Sequence, residues 1–338
     1  MTDQVPERAQ DQLVRCVHGA AQVAGLDSPY DTVHFRLFHP ARFSGDDAER
    51  MTGRVPADDA MAPWPIIVWL PGINIGPESY RWLAVQAARA GFAFVTMALV
   101  GDTLPGVVGI TPGIDLDAVK PGTYGTVPSA IAVGPLLAAV AELNADGPLA
   151  GLLDLDRVLL GGHSGGGSVA LQNANPEWFG GVVACATFAS HLMAATMLGW
   201  PANSVLRMPA DVPTLVLAGE LDGVMANSAD RYGTAQNDER HDPVWRTFDE
   251  SVWGGRGESH LAVVRGAPHT AMVWPEDHTT ARGFLDPPAT RSADELLAEI
   301  GDAVVAFARA TLRPESGSHD QVAELLADTS RYVRSARR

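Results

Sequence analysis

Asp156-Arg-Val-Leu-Leu-Gly-Gly-His-Ser-Gly-Gly-Gly-Ser-Val-Ala170 joins a short apolar run, a Gly-x-Ser-x-Gly pentad (Gly162-His163-Ser164-Gly165-Gly166) and a segment able to start a helix. That context marks a nucleophile elbow, in which a serine is held proud of the backbone on a tight strand-to-helix turn. Glycines two positions before and after Ser164 let the neighbouring chain approach without a Cβ clash. The helix start then points backbone N–H groups at the place where negative charge would develop.

Three other readings compete with the elbow. Gly165-x-Gly167-x-x-Ala170 fits the loose dinucleotide fingerprint, which requires an acidic residue about 20 positions on, at the end of the next strand. The next strand, Gly181-Val-Val-Ala-Cys-Ala-Thr-Phe-Ala189, ends without a carboxylate. A phosphate-binding loop is excluded, because the sole lysine, Lys120, lacks the glycines that must precede it. The bland alternative is a glycine-rich turn that merely lets a helix pack on a strand.

Composition narrows the field. A chain of 338 residues is ample to bury a core as one large domain or two small ones. A net charge of −16 argues against nucleic acid, since no basic stripe is present to neutralise phosphates. Two cysteines, Cys16 and Cys185, make no disulfide framework, and Cys185 sits in an apolar strand as a core thiol. The polar, acidic N-terminus has no secretory character, and no apolar run approaches the roughly 18 residues of a membrane span. The expectation is a cytoplasmic protein needing no cofactor, its oligomeric state open.

Apolar strands alternating with helical stretches predict a doubly wound, mostly parallel α/β sheet with helices on both faces. Strands are expected at 32–39, 65–70, 93–97, 157–161, 182–188, 213–218 and 261–265, and helices at 78–90, 128–144 and 292–313. Pro128 suits a first helical turn, and Ser292 with Glu295 reads as a capping box. Residues 101–127 read as a long loop, and segment 189–212 is too short for a large cap domain. The division expected is an N-terminal extension (1–30), a catalytic domain (31–313) and a peripheral C-terminal helix (314–338). Whether 101–127 or 224–260 forms a lid stays open.

Serine attack on an acyl carbon needs a base and a group that orients it. With this elbow the chain order is nucleophile, acid, histidine, each just past a strand. Gly219-Glu-Leu-Asp222 follows one strand and supplies the acid, with Asp222 preferred and Glu220 the alternative. Gly266-Ala-Pro-His269 follows the next strand and supplies the base, His269, with His278 its rival. His163 is expected to fill space beneath the elbow, and His191 could line the pocket. Leu70-Pro-Gly-Ile73 follows an early central strand, so the N–H groups of Ile73 and Gly165 are the oxyanion donors expected. No histidine pair has metal-ligand spacing beside a carboxylate, so no metal is expected. Activity should fall on acidification, because a protonated histidine cannot take the serine's proton.

The run Ile67-Val-Trp-Leu-Pro-Gly-Ile-Asn74 before Trp82-Leu-Ala and Ala90-Gly-Phe, followed by the elbow, Gly219-Glu-Leu-Asp222 and Gly266-Ala-Pro-His269, resembles the α/β-hydrolase superfamily. Within it the chain is similar to the branch of dienelactone-hydrolase-like, chlorophyllase-like, platelet-activating-factor-acetylhydrolase-like and cutinase-like enzymes, over roughly residues 30–312. The resemblance implies a Ser164–Asp222–His269 triad with Ile73 and Gly165 as oxyanion donors. The polyester hydrolases of that branch carry an aromatic in place of Ile73 and Met in place of Gly165, and they are secreted. Dienelactone hydrolases use Cys in place of Ser164. These departures favour an intracellular carboxylesterase acting on a small-molecule ester of modest size with an apolar part. Tyr80, Met193, Trp200 and Trp274 are the candidates to line its site. Amide, thioester or lactone hydrolysis, and acyl transfer, are alternatives on the same triad, and a non-catalytic binding protein is a further one.

Overall fold

The computed structural model describes residues 12–45, 47–104, 106–234, 242–277 and 283–338. In chain order the strands are β1 (Leu13–Gln22), β2 (Thr32–Ala41), β3 (Trp64–Leu70), β4 (Ala93–Leu104), β5 (Val107–Thr111), β6 (Leu153–His163), β7 (Val182–Phe188), β8 (Thr214–Gly219), β9 (His260–Val264) and β10 (Tyr332–Arg337). The helices are α1 (Asp47–Thr52), α2 (Arg81–Arg89), α3 (Val133–Ala145), α4 (Gly165–Asn173), α5 (Gly223–Ala226), α6 (Pro243–Arg246), α7 (Ala293–Leu312) and α8 (His319–Leu326). One sheet holds all ten described strands in the order β1-β2-β4-β3-β6-β7-β8-β9-β10, with β5 paired to β4. The run from β4 through β3, β6, β7 and β8 to β9 is parallel, while β1, β2, β5 and β10 pair antiparallel at its margins.

Burial on both faces explains the near-continuous apolar strands. In β3, Ile66, Val68 and Leu70 pack with residues of α3 and α4, such as Leu136 and Val169. Ile67 and Trp69 pack on the opposite side with residues of α2, α7 and α8, such as Leu83, Phe307 and Val322. Side chains alternate across a strand, so a strand covered on both faces must be apolar at every position. Each fully buried Leu or Ile contributes about 1.5–3 kcal/mol relative to an exposed one. The result is the mixed α/β architecture expected from the sequence, a central sheet sandwiched between helices.

Several boundaries differ from expectation, each for a traceable reason. Helix α3 starts at Val133 rather than at Pro128, because the buried Asn173 side chain captures two of the preceding N–H groups. Its Oδ1 accepts from Ser129 N at 2.8 Å and Ala130 N at 3.0 Å. Residues 101–127 are not all loop, since β4 continues to Leu104 and turns back as β5. The segment expected as an N-terminal extension contributes β1, and the C-terminal segment expected as a peripheral helix holds α8 and then β10, which pairs antiparallel with β9. Tyr332 anchors β10, 1 % exposed, its hydroxyl donating to Glu299 O at 3.1 Å. Residues 189–212 carry the short 3-10 turn Thr196–Leu198. No helix among the described residues is long and apolar enough to cross a membrane.

Candidate active site

Parallel strands end on a common edge, so residues just past β6, β8 and β9 converge there. Ser164 follows β6 directly and is the N-cap of α4, with φ 54° and ψ −124°. A non-glycine residue at such a φ costs on the order of 1–3 kcal/mol and persists only where its surroundings enforce it. The enforcement is visible. Ser164 N–H donates to Phe188 O at 3.0 Å, and Ser164 O accepts from Ser168 N at 3.0 Å. Ser190 Oγ, which sequence reasoning missed, lies 3.0 Å from Ser164 O and 3.0 Å from Phe188 O. A Cβ on Gly162 would sit 2.6 Å from Gly166 C, and one on Gly166 would sit 2.3 Å from Pro71 O. Glycine is therefore obligatory on both sides of the turn.

The three residues expected to act together are hydrogen-bonded in a chain. His269 Nε2 lies 2.8 Å from Ser164 Oγ, and His269 Nδ1 lies 2.9 Å and 3.0 Å from the two carboxylate oxygens of Asp222. Both side chains of the His269–Asp222 pair are 6 % exposed, which keeps bulk water from competing for their bond. Asp222 is itself oriented as the N-cap of α5, accepting Met225 N–H at 2.8 Å. With Nδ1–H donating to the carboxylate, Nε2 offers its lone pair to the serine hydroxyl. Glu220 is turned elsewhere and accepts Gly266 N–H at 2.7 Å. His278, the rival base, lies outside the described residues.

Gly165 opens α4, where the first N–H groups have no intrahelical partner. A Cβ at Gly165 would touch the Ile73 side chain at 3.1 Å, so the two expected oxyanion donors are neighbours beside Ser164. The Ile73 loop is fastened on its far side. Asn74 N–H donates to Ile110 O at 2.8 Å, and Asn74 Oδ1 accepts Ile110 N–H at 3.1 Å. Its near side is fastened by Gly72 N–H donating to Tyr80 Oη at 2.9 Å.

Tyr80 overturns its expectation as a pocket residue, since it is fully buried beneath the elbow. Its hydroxyl donates to His163 Nδ1 at 3.0 Å, and His163 Nε2–H donates to His269 O at 2.9 Å. Burial, followed by the neighbouring His269, holds His163 neutral, its pKa pushed down to about 3. The same burial pushes the Tyr80 phenol well above its usual range. His163 thus does lie beneath the elbow, but through Tyr80 it also ties the loop of Ile73 to the loop of His269 as well as filling space.

The other aromatic and apolar candidates divide. Met193 is buried, its N–H donating to His191 Nδ1 at 3.0 Å, and His191 Nε2 in turn meets Tyr232 Oη at 2.9 Å. Trp200 is half-buried and pinned between loops, donating from Nε1 to Val119 O at 2.8 Å with its ring edge-on to Tyr124. Trp274, five positions past His269, is 44 % exposed, as Ile73 is 39 % exposed. Sequence reasoning also missed Asp286, whose carboxylate reaches both the turn after Asp222 and the loop after His269. Nothing local to Asp286-Pro-Pro signals this. Among the described residues no group of three or more His, Cys, Asp or Glu is placed to hold a metal.

Neither a family model nor a curated protein matches the chain. Its structure is similar to a solved ferulic acid esterase from Streptomyces cinnamoneus, at 15 % identity and a TM-score of 0.54, covering 89 % of this chain and 90 % of that one. At that identity the likeness speaks for the fold, which is of the α/β-hydrolase type.

Proposed function

We propose that the protein is a serine hydrolase that cleaves carboxylic esters through an acyl-enzyme on Ser164. The observation that carries this reading is the unbroken hydrogen-bonded chain from Ser164 Oγ through His269 to a buried Asp222, built on a strained elbow. Ser164 Oγ attacks the ester carbonyl carbon as His269 Nε2 takes its proton, and Asp222 stabilises the imidazolium that forms. The carbonyl oxygen, now carrying the negative charge, is met by the N–H groups of Gly165 and Ile73, each worth about 3 kcal/mol to the transition state. Collapse breaks the bond to the alcohol oxygen, which leaves with the proton from His269. Water, deprotonated by the same histidine, then releases the acid and regenerates Ser164.

The exposed Ile73 side chain, beside Gly165, favours an ester with an apolar part. p-Nitrophenyl esters of graded chain length test this, and an aryl-propenoate ester such as methyl ferulate belongs in the same panel. The panel also takes in an amide, a thioester and a lactone. A fluorophosphonate should label the native enzyme at Ser164, and Ser164→Ala should abolish labelling and cost roughly 10⁴-fold or more in turnover. Full activity in that variant overturns the proposal.

A further inference from the structure

Beside the Asp222–His269 pair stands a second carboxylate, half-buried and unused in the scheme above. Asp286 Oδ1 accepts Gly223 N–H at 3.0 Å, and Oδ2 accepts Thr270 N–H at 3.1 Å and the Thr270 hydroxyl at 3.2 Å. Gly223 directly follows Asp222, and Thr270 directly follows His269. One side chain therefore grips the acid-bearing turn and the base-bearing loop, a single residue beyond each functional group. The turn that carries Asp286 is seated hard against the acid turn. A Cβ on Gly223 would lie 1.9 Å from Leu285 O, so the bare glycine is what allows the approach. Other bonds join the same segments on the strand side, Leu221 N–H to Ala267 O at 2.9 Å and Gly266 N–H to Glu220 at 2.7 Å. Asp286 closes the far side, so Asp222 and His269 are clamped from both directions.

We propose that Asp286 is a positioning residue of this site, which locks the separation of Asp222 and His269 and sets a second negative charge beside the imidazolium formed during the reaction. The inference rests on the serine-hydrolase reading. Burial pushes the Asp286 carboxyl up, the neighbouring His269 pulls it down, and the charge of Asp222 raises it again. Among the described residues, Asp222, Asp286 and His163 face His269, and His163 is held neutral. A fixed orientation of base and nucleophile acts on the chemical step rather than on substrate binding. The charge acts differently, by favouring the protonated ring that forms as Ser164 attacks.

The test is the Asp286→Asn variant, followed on a p-nitrophenyl ester from pH 5 to pH 9, with rates expressed per site labelled by fluorophosphonate. The amide keeps one acceptor but loses the charge. We expect kcat to fall roughly 10-fold at nearly unchanged KM, as for other orienting groups. The acid limb of kcat/KM should move to lower pH by roughly half a unit, because the protonated imidazole has lost a favourable charge. A merely structural role would lower the labelled fraction and the melting temperature while leaving kcat per labelled site and the limb where they are, and that result overturns the proposal. Should Asp286→Asn not fold, Thr270→Val removes one of the three bonds and leaves the charge. It is expected to lower kcat about 3-fold with the limb unmoved, and a native kcat there overturns the proposal. Native enzyme that neither labels nor turns over would instead sink the serine-hydrolase reading itself.

Discussion

Tyr80 shows how much one hydroxyl can organise. It accepts from Gly72 N–H, next to Ile73, and donates to His163, which bonds the backbone of His269. Phenylalanine at this position would fill the same space but strand a buried N–H and a buried ring nitrogen. Leaving buried polar groups unsatisfied costs about 1–3 kcal/mol. Tyr80→Phe should therefore lower the denaturant midpoint without changing the m-value. It should also reduce kcat several-fold at constant KM, since the loop bearing Ile73, the proposed oxyanion donor, loses its near-side anchor. Denaturation and steady-state kinetics on one preparation check this, and a variant with native kcat would show that the anchor is irrelevant to turnover.

At the scale of elements, the sheet brings Ser164, Asp222 and His269 together while neighbouring elements adjust them. The β4–β5 hairpin holds the Ile73 loop through Asn74, and α5 aims Asp222 through its first turn. Helix α7 is the longest described helix and covers the β6–β9 half of the sheet with residues such as Ile300, Val304 and Phe307. Its start is secured by a complete capping box, Ser292 with Glu295, which satisfies N–H groups that the helix itself cannot. Ser292→Ala should cost about 1 kcal/mol of stability. That loss should appear as a lower melting temperature with kcat and KM unchanged, because α7 packs on the face of the sheet away from the elbow helix α4. A loss of activity in the folded variant would show that α7 reaches the site.

Across the whole molecule, stability should depend on pH through two buried histidines. Burial pushes both His163 and His260 down to about 3, His260 being further lowered by His319 and Arg337. An unfolded chain takes up protons at both positions once the pH drops below about 6.5, whereas the folded chain does not until about 3. Folded stability is thus complete above about 6.5 and is lost as the pH falls through that window. The rate of loss is up to about 1.4 kcal/mol per unit for each histidine. Urea midpoints should drop between pH 7.5 and pH 5.5, a range chosen to lie above ordinary carboxylate titration. His260→Gln should flatten part of that drop, and an undiminished drop would remove His260 from the account.

The sequence by itself determined the class of fold, the two-faced strands, the elbow, and the order of serine, acid and histidine along the chain. Each is a local pattern: apolar residues at every position of a covered strand, glycines two positions either side of Ser164, a turn after each of β8 and β9. Ser292 and Glu295, three residues apart, were legible as a cap for the same reason. What only the tertiary structure decided lies between segments far apart in the chain. The bond from Gly223 to Asp286 spans 63 positions, that from Tyr80 to His163 spans 83, and that from His163 to His269 O spans 106. No period or spacing encodes such pairs, so Tyr80 reads as a pocket residue and nothing in the sequence singles out Asp286. Strand β10 was hidden because Tyr332-Val-Arg-Ser-Ala-Arg337 buries Tyr332 alone and lacks apolar alternation. Its place is set by an available edge on β9, which exists only once the rest of the sheet has formed.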